Sequence, residues 1–245
     1  MKTDFKSRRI GEVNVFEVRG GFLGLPVQRI RREMAETLER DPCEGLLFNV
    51  RQMEKLDDPG AKAVLDILRH PPKGAILGQN LSAYFIAEHM TPQEAIPIFE
   101  KGSEAVGFFG KEFAHGKENS SKEKRKFPRI STALPFELDI EIEGESFLFE
   151  GLTVNFGEGG LFANFLDSRT EELAERVIDP YDLKMFDVLV GTKSDFLLEV
   201  HGKILRMEKG FSELHGLAVE FYDLTEKDGN RIREFLKTQR IESQR

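Results

Sequence analysis

Residues 125–165 read RKFPRISTALPFELDIEIEGESFLFEGLTVNFGEGGLFANF. From Leu134 onward every second residue is apolar: Leu134, Phe136, Leu138, Ile140 and Ile142 alternate with Pro135 and acidic residues. A period of two puts one set of side chains on each face of a half-buried strand. FLFEGLTVNF and GLFANF, separated by a glycine-rich break, read as two more strands, and FLLEVHGKILRM and GLAVEFYD further along as others. A small antiparallel β-barrel is the natural closure for such a series, because closing the sheet removes exposed strand edges. The segment LTEKDGNRIREFLKTQR carries Ile232, Phe235 and Leu236 on one face and predicts a terminal amphipathic helix. A further helix is expected between Ser168 and Leu183, around TEELAERV.

Upstream the period changes. VNVFEVRG (Val13 to Gly20) and GLLFNV (Gly45 to Val50) read as buried strands, and KGAILG and AYFIAEH as further strands. VQRIRREMAETLER (Val27 to Arg40) and GAKAVLDILRH (Gly60 to His70) show the three- and four-residue apolar spacing of helices. TPQEAIPIFEKG opens with a Thr cap, a Pro at the first helical position and a Glu three residues after the cap, which predicts another helix. This alternation predicts an α/β layer fold. The polar stretch GKEFAHGKENSSKEKRKFPR, Gly110 to Arg129, has the composition of a linker. Two domains follow: an α/β domain at 1–112, a charged linker at 113–123, and a six-stranded antiparallel barrel with its terminal helix at 124–245.

The net charge of −8 on 245 residues argues against general DNA binding. Its distribution is uneven, with net −1 over residues 1–110, +4 over 111–129 and −11 over 130–245. An anion drawn to this chain is expected to settle near the short cationic segment. The N-terminal residues lack the apolar core of a signal peptide, and no run approaches the roughly 18 apolar residues of a membrane span, so a cytoplasmic protein is expected. Cys43 is the only cysteine, which excludes an intrachain disulfide and any cysteine-rich metal site. The histidines at 70, 89, 115, 201 and 215 form no short-spaced metal pattern. There is no P-loop, dinucleotide fingerprint or nucleophile elbow, so neither a catalytic residue nor a cofactor is expected.

Two local signals carry chemistry. Arg125 and Arg129 are four residues apart, with Pro128 between them disfavouring helical geometry at Phe127. In an extended or turning arm, two guanidinium planes can close on a ligand, stacking on a base and hydrogen-bonding phosphate. Both arginines are expected in the arm ahead of the barrel. The second signal is NFGEGG, Asn155 to Gly160, where successive glycines permit a tight turn whose backbone N–H groups can face an anion. The adjacent acids Asp57 and Asp58 read as cap and dipole partners at a helix start rather than as an acid/base pair.

In order and spacing these signals resemble the PilZ family, whose pattern is RxxxR followed by [D/N]xSxxG in a six-stranded barrel that binds cyclic di-GMP. The likeness runs from about Lys124 to Lys237. It implies that Arg125 and Arg129 grip guanine and phosphate, that Asn155 fills the Asp/Asn position and that Gly160 is the final glycine. Gly157 stands where the family has Ser. Loss of one neutral hydrogen bond, about 0.5–1.5 kcal/mol, implies affinity weakened roughly three- to tenfold, in the micromolar range. Residues from about Glu12 to Phe113 resemble a STAS domain, the anti-sigma-factor-antagonist fold, on the strand GLLFNVRQMEKLDDPG running into helix AKAVLDIL. In that family a serine beside the glycine can be phosphorylated. Here the turn is Asp57-Asp58-Pro59-Gly60, and Pro59 accepts no phosphate, so a partner-binding surface at the helix start is what remains.

The resemblances imply a non-enzymatic bacterial second-messenger receptor: the barrel binds cyclic di-GMP, and the first domain binds another protein. Two alternatives keep the same sequence features. One is a degenerate barrel that binds a protein without nucleotide, and the other is an enzyme with an unrecognised site in the α/β domain.

Overall fold

The computed structural model describes residues 3–94, 96–114, 129–142, 145–166, 186–192, 196–209 and 214–242. Arg125 and the helix expected between Ser168 and Leu183 lie outside them. The chain falls into two compact units, Met1–His115 and Gly116–Arg245. Among the described residues no helix is long and apolar enough to cross a membrane.

The first unit is an α/β sheet. Its strands are β1 (Asp4–Ile10), β2 (Val13–Phe22), β3 (Gly45–Asn49), β4 (Met53–Leu56), β5 (Lys73–Leu77) and β6 (Ile98–Phe99), in the order β1-β2-β3-β5-β6, with β4 paired to β2. β1 is antiparallel to β2, and the remaining pairs are parallel. Helices α1 (Leu25–Arg40), α2 (Asp58–Leu68) and α3 (Leu81–Glu88) bury Ile30, Met34, Val64, Leu65 and Ile86 against Phe16, Val18, Leu46, Phe48 and Ile76. Alternation sends Val13, Leu47 and Ala75 to the other face. There α4 (Gly102–Phe109) and α5 (Lys111–Ala114) pack, and the Phe109 ring lies so close to Gly45 that a Cβ there would come within 2.7 Å of it. Both faces are therefore covered, which is why β3 and β5 read as mostly apolar runs and β2 is buried over most of its length.

Two expectations for this unit change. AYFIAEH is α3 rather than a strand: the Asn80 side chain accepts the N–H of Ala83 at 3.0 Å, which starts a helix whose Ala83 and Ile86 face the core. Among its described residues TPQEAIPIFEKG makes a turn at 91–94 and the short strand β6 instead of the expected helix. Glu94 N–H bonds Thr91 O at 2.9 Å and the Glu94 carboxylate accepts the Thr91 N–H at 2.7 Å, as the cap signal predicts, but Pro97 follows and the chain enters β6.

The second unit is an antiparallel barrel. Strands β8 (Pro135–Ile142), β9 (Glu145–Gly157), β10 (Gly160–Phe165), β11 (Phe186–Thr192), β12 (Phe196–Lys209) and β13 (Leu214–Tyr222) close in the order β8-β9-β10-β13-β12-β11 and back to β8. A short seventh strand, β7 (Arg129–Ser131), pairs with the far end of β9 on the edge that β8 occupies further along. The interior is built from Phe136, Leu138, Phe149, Phe156, Phe165, Leu198, Leu217 and Val219. The terminal helix α6 (Glu226–Glu242) buries Ile232 and Leu236, and its Phe235 stacks on Phe196 with ring centroids 4.5 Å apart. Thr225 starts it by accepting the N–H of Asp228 at 3.2 Å.

Candidate nucleotide site

Arg129 is not in the arm. It opens β7, opposite Gly157 of β9, and its Nη1 donates to Oδ1 of Asn155 at 3.3 Å. The reason lies three residues on, where the chain leaves β7 at Ser131 and rejoins the sheet as β8 at Pro135 with its register against β9 moved by one residue. Thr153 spans that break. Its fully buried hydroxyl donates to Thr132 O at 2.6 Å and accepts the Leu134 N–H at 2.9 Å, while its own N–H bonds Leu134 O at 2.8 Å. With the break stitched to β9 in this way, β7 is held beside the strand end that carries Asn155 and Gly157.

The glycine-rich stretch is more regular than its composition implied. Asn155, Phe156 and Gly157 remain in β9, Glu158 and Gly159 form a two-residue turn, and Gly160 begins β10 directly opposite Gly157. Gly160 has φ +151°, and a Cβ there would lie 2.1 Å from the Val219 carbonyl oxygen. No side chain fits, because β13 passes against it. Gly160 is thus required by the packing of β10 against β13. Arg129, Asn155, Gly157 and Gly160 come together on the outer face of three neighbouring strands, since the intervening Phe156 and Leu161 point into the core.

Two residues of this neighbourhood escape a motif-based reading. Thr153 reads as an ordinary strand threonine until the break in β7–β8 is known. Phe162 pairs with Asn155 across β9–β10 and points outward between the core residues Leu161 and Ala163. The alternation in GLFANF already put that aromatic on the exposed side.

In the first unit, Asp57 acts as the cap it was expected to be. Oδ1 accepts the Gly60 N–H and Oδ2 the Gly24 N–H, both at 2.8 Å, so one carboxylate joins the starts of α1 and α2. Asp58 faces His89 Nε2 at 3.4 Å. The Asn80 amide donates to Val50 O at 2.6 Å and brings the start of α3 to the same end of the sheet. Leu25 and Leu81, which open α1 and α3, are 90% and 87% exposed. Pro59 sits in the first turn of α2, where a missing N–H costs nothing. Among the described residues no group of three or more His, Cys, Asp or Glu side chains could hold a metal ion.

No protein-family model matches the chain, and no curated protein matches it. Solved structures similar to it include the inhibitor of motility MotI/DgrA of Bacillus subtilis, at 12% identity and TM-score 0.35, covering 50% of this chain and 54% of that one. The PilZ domain of YcgR from Escherichia coli with cyclic di-GMP gives 13% identity and TM-score 0.35, with 49% of this chain and 95% of that one covered. An anti-sigma factor antagonist from Mycobacterium paratuberculosis gives 12% identity and TM-score 0.39, with 44% and 93% covered. The chain spans about half the length of MotI/DgrA and most of the length of the other two. PilZ domains and anti-sigma-factor antagonists are the folds to which this chain is similar.

Proposed function

We propose that this chain is a receptor for cyclic di-GMP, which it binds through Arg125, Arg129, Asn155, Gly157 and Gly160, and that binding is relayed through residues 113–123 to a protein-binding first unit. The observation that carries the reading is the Arg129–Asn155 hydrogen bond beside Gly157. A guanidinium that can form paired bonds to a phosphate stands on the barrel's outer face beside Asn155 and Gly157. Asn155 uses its carbonyl oxygen on Arg129, which leaves its amide hydrogens to donate to a ligand. Gly157 offers no hydroxyl, so affinity is micromolar. Titration calorimetry of the whole chain with cyclic di-GMP tests the reading, and binding that survives both Arg125→Ala and Arg129→Ala would place the site elsewhere.

Arg125 precedes β7 by four residues, and a ligand that engages both arginines orders the chain between them and what precedes it. This is the relay, and it needs the ligand to favour one arrangement of the arm over others. The protein-binding surface is the end of the first sheet where Leu25, Asp58 and Leu81 lie, two exposed leucines beside a helix start. Cross-linking of the whole chain with its partner, with and without cyclic di-GMP and again with Leu81→Asp, tests this half. Should the whole chain bind no nucleotide, the glycine at 157 favours a barrel that keeps the scaffold and binds protein alone.

A further inference from the structure

The outer face that carries Asn155 continues across the barrel. Following the register from β9, Asn155 is opposite Phe162 of β10, Phe162 is opposite Ala218 of β13, and Ala218 is opposite Arg206 of β12. These residues point outward, because Leu161, Leu217, Val219 and Ile204 beside them are core. Arg206 reaches this row through a β-bulge. The pairing of β12 with β13 runs from Ile204↔Val219 to Arg206↔Ala218, so Leu205 is the extra residue. A bulge re-aims the side chain that follows it, and here that side chain is a guanidinium whose Cζ stands over the Phe162 ring, 5.6 Å from its centroid. Glu208 holds the same group at 3.1 Å. The Phe162 ring lies over Gly216, where a Cβ would come within 3.1 Å of it, so the ring is spread along the sheet rather than standing off it. Among the described residues, Phe162 and Ala218 lie between Asn155 and Arg206 on this row, and Gly157 and Gly160 stand on the neighbouring one. Along the neighbouring row Glu220 of β13 is opposite Lys203, so charge there is mixed rather than cationic.

We infer that Phe162 and Arg206 form a base-stacking wall at the far side of the nucleotide site: with a phosphate of the ligand held at Arg129, a purine lies on the guanidinium face that Phe162 does not cover. This rests on the receptor reading above and adds to it the residues that take the base. Three inter-strand spacings of about 4.8 Å separate β9 from β12, about 14 Å along the curved face. A planar cation is the group for the position. Arginine stacks on aromatic faces, whereas the ammonium of lysine is a compact and strongly hydrated charge.

The test is titration calorimetry of the full chain with cyclic di-GMP, comparing the natural protein with Arg206→Ala, Arg206→Lys and Arg129→Ala. The side chain of Arg206 is 66% exposed, so its replacement leaves the core intact, and thermal unfolding of each variant checks this. Arg206→Ala is expected to weaken binding roughly 5- to 100-fold, the range for loss of one base-stacking side chain. Arg206→Lys is expected to weaken it nearly as much, because it keeps the charge and loses the plane. If Arg129→Ala abolishes binding while Arg206→Ala leaves it unchanged, the wall is wrong and the receptor reading stands. Full rescue by Arg206→Lys would make position 206 a plain phosphate contact and would also overturn stacking. Absence of binding to the natural protein removes both readings together.

Discussion

The hydroxyl of Thr153 is buried completely and accepts the Leu134 N–H at 2.9 Å, one of three hydrogen bonds by which Thr153 ties the break that follows Arg129 to β9. The barrel's stability and the placement of its candidate ligand residues are therefore linked through a side chain that touches no ligand. Replacing Thr153 by Val keeps the shape and leaves the Leu134 N–H without that acceptor and Thr132 O without its donor. A buried polar group left unpaired costs about 1–3 kcal/mol. Thr153→Val is expected to lower the unfolding free energy of the second unit, read from urea denaturation, by that amount and to weaken nucleotide binding, because the chain after β7 loses two of its ties to β9.

The two glycines that face each other across the β9–β10 hairpin are predicted to behave oppositely. Gly160→Ala meets the Val219 carbonyl oxygen in a conformation that L residues rarely adopt, and overpacking of this kind costs about 1–3 kcal/mol or more. Thermal denaturation should show a marked loss of stability for Gly160→Ala. Gly157→Ser restores a hydroxyl donor beside Arg129 and is expected to tighten cyclic di-GMP binding roughly three- to tenfold, measured by calorimetry.

Most of both sheets was legible in the sequence because burial on one face or two writes its period into the chain. β3 and β5 are mostly apolar, β2 keeps Val13, Val15, Phe16 and Val18 in its first six residues, and β8 and β10 alternate. β1 was not legible: DFKSRRI has only Phe5 and Ile10 as apolar residues, and it becomes a strand by pairing with β2 at the sheet edge. AYFIAEH was misread because a short, mostly apolar run satisfies both periods, and the deciding signal was the Asn80 cap ahead of it. Of the candidate ligand residues, Arg129, Asn155, Gly157 and Gly160 could be named from the motif that the sequence resembles, whereas Phe162 was not singled out. The register breaks at 132–134 and at Leu205 are choices of long-range pairing with no local signature. For that reason Arg129 was assigned to the arm, and Thr153 and Arg206 were passed over.

The first unit carries a pH dependence of calculable sign. The Thr91 N–H and the Arg69 guanidinium hold Glu94 below the usual carboxylate range despite desolvation. Glu112, although desolvation raises it, is brought below that range by its hydrogen bond and ion pair with Lys73 at 2.8 Å. A carboxylate whose pKa is depressed on folding stabilises the fold above its unfolded pKa and loses that contribution as pH falls through the folded one. Unfolding temperature is expected to be level from pH 7 to about 5 and to fall below it, with a shallower fall in Glu112→Gln.

The change from α/β patterning to period-two patterning across a polar, charged segment predicts that the halves fold separately. Limited proteolysis is expected to cut first after α5, between His115 and Lys126, and to leave two resistant fragments. Early cuts inside either half, with that segment intact, would put the boundary elsewhere.

The receptor reading is tested most directly by titrating the whole chain with cyclic di-GMP in a calorimeter, beside Arg129→Ala. The expected result is micromolar binding by the natural protein that falls at least tenfold in the variant, since each charge-assisted hydrogen bond to an arginine is worth about 1.5–3 kcal/mol. Equal affinity in the two proteins, or no heat of binding in the natural one, would contradict it.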